Sequence, residues 1–208
     1  MTGIIVCIEG LDGAGKHTQA LLLAKKLKRM GYKVSLHSYP EYGSRYGRII
    51  KAHLRKKITL NVYEFFLMFV TDMVKDKVSV DEELIKGSIV VMDRYYISTV
   101  AYQSAGGFDF KKAKSIENAI GLTPPSVILY LDVPVDISQE RKIRQKRLKG
   151  GADRHEADKT YLEKVKRVYD RLYKEGYGGA RWVKIDGTGG REEIHGKILF
   201  EVLRVIVK

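Results

Sequence analysis

The chain has 208 residues, 44% of them apolar, with a single cysteine, Cys7. That length suits one domain spanning 1–208 with an ample core, and one cysteine excludes an internal disulfide. Its 38 Lys and Arg against 25 Asp and Glu leave a net charge of +13, which fits a polyanionic partner, either nucleic acid or a phosphorylated metabolite.

Ile4 to Ile8 is a continuous apolar run, the pattern of a strand buried on both faces. Directly after it, Gly10-Leu11-Asp12-Gly13-Ala14-Gly15-Lys16-His17-Thr18 has the spacing of a P-loop. Its glycines let backbone N–H groups turn inward around an anion, and Lys16 can reach the outer phosphates. A helical pattern from Gln19 to Met30, with Leu22, Leu23 and Leu27 on one side, completes the strand–loop–helix order that such a loop needs. One position departs: the pattern asks for Ser or Thr after the lysine as a Mg²⁺ ligand, and the residue is His17.

Further strand patterns lie at 34–36, 89–92, 127–131 and 182–185, separated by helical ones. That alternation predicts an α/β fold with a parallel sheet covered on both faces. Tyr39-Pro40-Glu41 follows the second strand pattern and Asp93-Arg94-Tyr95 the third. Both stand at carboxyl ends, where open α/β sheets bind ligands, and Arg suits bidentate phosphate recognition. Residues 62–74 form an unusually apolar helical stretch. It is too short to span a membrane, so it is a core helix or one with an apolar face for a partner subunit. From Arg141 to Arg154 the chain is basic and glycine-bearing. It reads as a mobile lid whose arginines neutralise a transferring phosphoryl group, or as a solvated or nucleic-acid-binding face. A last helix spans roughly 191–207. The five histidines lack metal-ligand spacing, and no nucleic-acid-binding motif is visible. With no signal peptide and no 18-residue apolar run, a soluble cytoplasmic protein without a membrane partner is expected. Two Asn and four Gln beside abundant Lys, Arg and Glu point to a thermophilic source, archaeal among them.

Taken together, these residues resemble the thymidylate kinase family nearly end to end. The motifs are Ile8 to Lys16, Tyr39-Pro40-Glu41-Tyr42-Gly43 with Gly47, Phe66 to Asp72, Asp93-Arg94-Tyr95, Ser98 to Gln103, Leu131-Asp132-Val133 and Arg141 to Glu156. The resemblance implies a doubly wound five-stranded parallel sheet with a lid at about 141–156. It implies a homodimer that moves the γ-phosphoryl of ATP onto dTMP with Mg²⁺, without nucleic acid as a partner. By the same resemblance Gly10, Asp12, Gly13, Ala14, Gly15, Lys16, His17, Thr18 and Arg141 bind ATP. Arg94 clamps the acceptor phosphate, and Asp12 positions that phosphate or the metal. Tyr39, Pro40 and Tyr42 underlie the acceptor, Phe69 faces its base, and Ser98, Thr99, Tyr102 and Gln103 complete its site. Gly13 stands where some members carry a catalytic Arg, so the lid would supply that charge, from Arg144 and Arg147. The catalytic set is then Asp12, Lys16, Arg94, Arg144 and Arg147. With His17 unable to act as the hydroxyl ligand, Asp12 and Glu156 are the expected metal ligands. Met73 replaces the family's usual Arg against thymine, which implies looser base selection. A UMP/CMP-type kinase and, from another class, a P-loop regulatory or nucleic-acid-binding NTPase are the competing readings; dependence of ADP formation on a monophosphate separates them.

Overall fold

The computed structural model describes residues 3–149 and 159–207. Five strands form one sheet: β1 (Ile4–Gly10), β2 (Val34–Ser38), β3 (Ile89–Asp93), β4 (Val127–Asp132) and β5 (Arg181–Asp186). Their order is β2-β3-β1-β4-β5, and every pairing is parallel. The helices are α1 (Lys16–Arg29), α2 (Arg45–Leu54), α3 (Val62–Val74), α4 (Lys77–Ile85), α5 (Tyr96–Ala105), α6 (Phe110–Ile120), α7 (Val135–Lys149), α8 (Lys159–Glu175) and α9 (Arg191–Ile206).

Side-chain alternation along the strands splits the core in two. Ile5, Cys7, Ile128 and Tyr130 face one side, where α3, α5, α6 and α8 cover them with Phe66, Val100, Ala113 and Tyr169. Val6, Ile8, Leu129 and Leu131 face the other, under Leu23 and Leu27 of α1 and Ile198 of α9. This is the doubly wound α/β arrangement, with helices on both faces. All five strand patterns read from the sequence are strands, each one or two residues longer than its apolar run. The first part of the basic segment from Arg141 continues α7, whose opening residues Val135 and Ser138 are buried.

β1 lies in the middle of the sheet, flanked by β3 and β4. The P-loop, Arg94 and the start of α7 therefore stand side by side at the carboxyl edge. No helix among the described residues is long and apolar enough to cross a membrane.

Candidate active site

The P-loop leaves β1 with positive φ at Gly10, Gly13 and Gly15, and α1 begins at Lys16. Gly15 has no side chain to cap that helix, so its first amides face the loop, as anion binding at a helix N-terminus requires. Lys16 is buried, and its Nζ donates to the Leu11 carbonyl at 2.6 Å. Burial lowers its pKa to about 8, partly opposed by Asp93 and Glu9 and assisted by Lys142. His17 is exposed and Thr18 is exposed beside it; His17 Nδ1 lies 2.9 Å from Asp93 Oδ2.

Asp12 is the hub. Its carboxylate pairs with Arg94 and, at 2.8 Å, with Lys142 of α7. Its N–H donates to Tyr102 Oη at 2.9 Å, and its carbonyl accepts from Ser138 Oγ. Arg94 lies over the Tyr102 ring at 5.1 Å and donates to Ser98 Oγ at 3.1 Å. Its backbone sits in the left-handed region at φ 69°, a conformation disfavoured for a residue with a Cβ and held here by its surroundings.

Those surroundings centre on Glu9, a charged residue in an otherwise apolar strand. Glu9 is fully buried and accepts from Tyr95 N–H (2.8 Å), Ser98 N–H (3.3 Å), Ser98 Oγ–H (2.5 Å) and Tyr169 Oη–H (2.9 Å). Burial raises its pKa, while Ser98, Arg94, Tyr169 and Tyr95 oppose the rise. Glu9 thus fixes Tyr95 and Ser98, and Ser98 relays it to the guanidinium. The signal in the sequence was plain: a carboxylate in a strand buried on both faces needs partners.

The loop after β2 is pinned from α3. Asp72, fully buried, accepts from Glu41 N–H at 2.7 Å and Ser44 Oγ–H at 2.6 Å. Lys75 bridges Glu41 at 2.9 Å and Asp76 at 2.5 Å, and Tyr39 Oη donates to Asp76 at 3.1 Å. The loop holding Tyr39, Pro40 and Tyr42 is therefore clamped onto α3; the Tyr39–Pro40 peptide is cis, Tyr39 is buried and Tyr42 is exposed. A carboxylate in an apolar helix was again the missed signal. Phe69 is half-buried and edge-on to Phe65 at 5.0 Å.

Met73 is 2% exposed and packs with Phe66, Val70 and Thr99 around a small cavity. It extends the buried stripe of α3 that begins at Phe66 and Val70. Thr99 lines the same cavity, and Ser98 and Gln103 are buried. On α7, Arg141 donates to the carbonyls of Gly187 (2.6 Å) and Thr188 (3.0 Å), tying that helix to the loop after β5. Arg144 is exposed. The side chain of Arg147, and Arg154 and Glu156, lie outside the described residues.

A phosphate-binding loop on the central strand, beside a guanidinium on its neighbour and under a basic helix, defines a P-loop nucleotide-binding protein of the doubly wound α/β class. The family model described as "Thymidylate kinase" matches residues 8–198. The chain is 31% identical to a thymidylate kinase of Plasmodium falciparum (isolate 3D7), over 99% of this chain and 92% of that protein. It is 31% identical to one of Arabidopsis thaliana, over 97% and 71% respectively. It is 32% identical to a probable thymidylate kinase of Pyrobaculum aerophilum, over 97% of each. The chain belongs to the thymidylate kinase family.

Proposed function

We propose that this protein transfers the γ-phosphoryl group of ATP to dTMP, giving dTDP and ADP. The observation that carries it is the placement of Arg94 beside the P-loop. Stacked over the Tyr102 ring and braced through Ser98 by Glu9, its guanidinium meets the P-loop's own carboxylate. A planar donor held there suits an acceptor phosphate next to the phosphates of ATP.

In this reading, Lys16 and the loop amides hold the β- and γ-phosphates. The acceptor phosphate displaces Asp12 from Arg94. One of its oxygens attacks the γ-phosphorus in line; the bond from that phosphorus to the β–γ bridging oxygen breaks, and ADP leaves. The attacking oxygen is already ionised, so positioning and charge neutralisation carry the rate without a strong general base. Arg141 helps hold the nucleotide, and Arg144 and Arg147 close over it from the lid.

Thymidylate kinases use ATP with Mg²⁺. Among the described residues no group of three or more His, Cys, Asp or Glu is placed to hold a metal. That fits Mg²⁺, which takes one or two carboxylates and completes its shell with substrate phosphates and water. Asp12 and Glu156 are the proposed ligands. The ion would neutralise charge on the β- and γ-oxygens.

Met73 leaves the base without the guanidinium contact that relatives of the usual pattern make. A missing hydrogen bond weakens discrimination by about 1–3 kcal/mol, so dUMP is accepted better than the family pattern implies. ADP release across a panel of nucleoside monophosphates tests the function: dTMP is expected to be turned over, with dUMP within reach of it. Hydrolysis of ATP independent of any monophosphate would sink the kinase reading, and strict dTMP preference would sink the relaxed base choice.

A homodimer is proposed on the exposed apolar face of α3. Leu67 (45% exposed) and Val74 (38%) are two turns apart on one side of it.

A further inference from the structure

Position 13 is closed to side chains. An ideal Cβ there would run into the backbone carbonyl of Ser138, and the residue holds φ 88°. The first turn of α7 thus lies directly on the P-loop, and Ser138 Oγ bonds the Asp12 carbonyl. One helical turn further, on the same face, Lys142 reaches the Asp12 carboxylate at 2.8 Å. Arg94 binds that carboxylate too, so the two cations converge on a single acid. Among the α7 cations with described side chains, Arg141 is engaged on the Gly187 and Thr188 carbonyls and Arg144 is exposed. Lys142 alone of these three is over the P-loop carboxylate.

We propose that Lys142 is a catalytic residue of the phosphoryl transfer, an inference that rests on the kinase reading above. Bound nucleotides bring Asp12 a competing set of charges. The Lys142 ammonium then passes from Asp12 to the γ-phosphoryl oxygens and stabilises the charge spread over them as the group moves. It supplies from α7 the cation that Gly13 has no space to supply from the loop. In the ligand-free protein Asp12 holds it within one contact of Arg94, so neither cation has to be recruited from solvent.

The test compares Lys142→Met and Lys142→Arg with the parent protein, measuring dTDP and ADP formation, KM for both substrates and thermal midpoint. Removing one preorganised stabiliser of a developing anion costs about 10²–10³ in kcat. Lys142→Met is expected to lose that much kcat, with both KM values within about threefold of the parent. Lys142→Arg is expected to recover most of the loss. Lys142→Gln replaces the Met variant if the latter does not fold. A Met variant with parental kcat overturns the assignment and leaves the kinase reading intact. So does a loss that Arg fails to rescue and that tracks a lowered midpoint, which marks a strap holding α7. A parent protein that makes no dTDP overturns the kinase reading and the assignment together.

Discussion

Gly13 lies beneath the carbonyl of Ser138, so closely that a methyl group between them has no place. The contact joins the phosphate loop to the helix bearing Lys142 and Arg141. Gly13→Ala must move α7 and adopt a backbone conformation that a Cβ disfavours. Overpacking typically costs about 1–3 kcal/mol, and the left-handed residue adds about 1–2 kcal/mol. A lower thermal midpoint, together with at least a tenfold loss of dTMP-dependent ADP formation, is expected. Unchanged activity would show that α7 can retreat without consequence.

Glu9 gathers five hydrogen-bond donors, the Cys7 thiol among them, around one buried carboxylate. Glu9→Gln turns an NH₂ group towards these donors; Ser98 and Tyr169 keep each other as partners, but the Tyr95 N–H loses its acceptor. A buried donor left unpaired costs about 1–3 kcal/mol, and the relay through Ser98 to Arg94 fails with it. Chemical denaturation should show that loss of stability, and KM for dTMP should rise more than KM for ATP. Equal rises in the two KM values would mean that Glu9 does not act through Arg94.

Lys16 ties ATP affinity to pH. Its pKa, about 8 in the free protein against 10.5 for an ordinary lysine, means that it loses charge above that value. ATP binding must then restore the proton, and the apparent Kd should rise by up to tenfold per pH unit above about pH 8. Stability moves the opposite way. Between the folded and unfolded pKa values the unfolded chain holds the extra proton, so the cost of burying the charge is relieved as pH rises. Calorimetry between about pH 7 and 9.5 should show proton uptake on binding, and Lys16→Met should abolish it.

Asp12 and His17 divide the metal question. With no hydroxyl after Lys16, Asp12→Asn is expected to raise the Mg²⁺ concentration for half-maximal rate by at least about tenfold, since a neutral amide is a poor ligand for this cation. A His17→Ser variant that works at much lower Mg²⁺ than the parent would show instead that the parent is starved for the usual ligand.

Leu67 tests the assembly. Leu67→Glu puts a charge in the exposed apolar strip of α3 without touching the core. Sedimentation should give a dimer for the parent at micromolar concentration and a monomer for the variant. A monomeric parent would remove the homodimer.

The sequence by itself determined the order of elements and the phosphate loop. A continuous β-branched apolar run such as Ile4–Ile8 suits a strand with both faces buried, and a glycine loop between such a strand and a helix has few other uses. It also placed Arg94 at a carboxyl edge. Local pattern could not show which distant side chains meet. Met73 is one methionine of an apolar stretch in sequence, and only the packing of α3 shows that it is buried beside Val70. Glu9 and Asp72 look like isolated charges until Ser98, Tyr169, Glu41 and Ser44 arrive from elsewhere in the chain. Lys142 was one cation in a basic run. Only the packing of α7 on Gly13, 125 positions from Ser138 by the numbering, decided that this lysine rests on Asp12. Spacing along a chain encodes contacts within one element; contacts between elements depend on where the sheet sets them down.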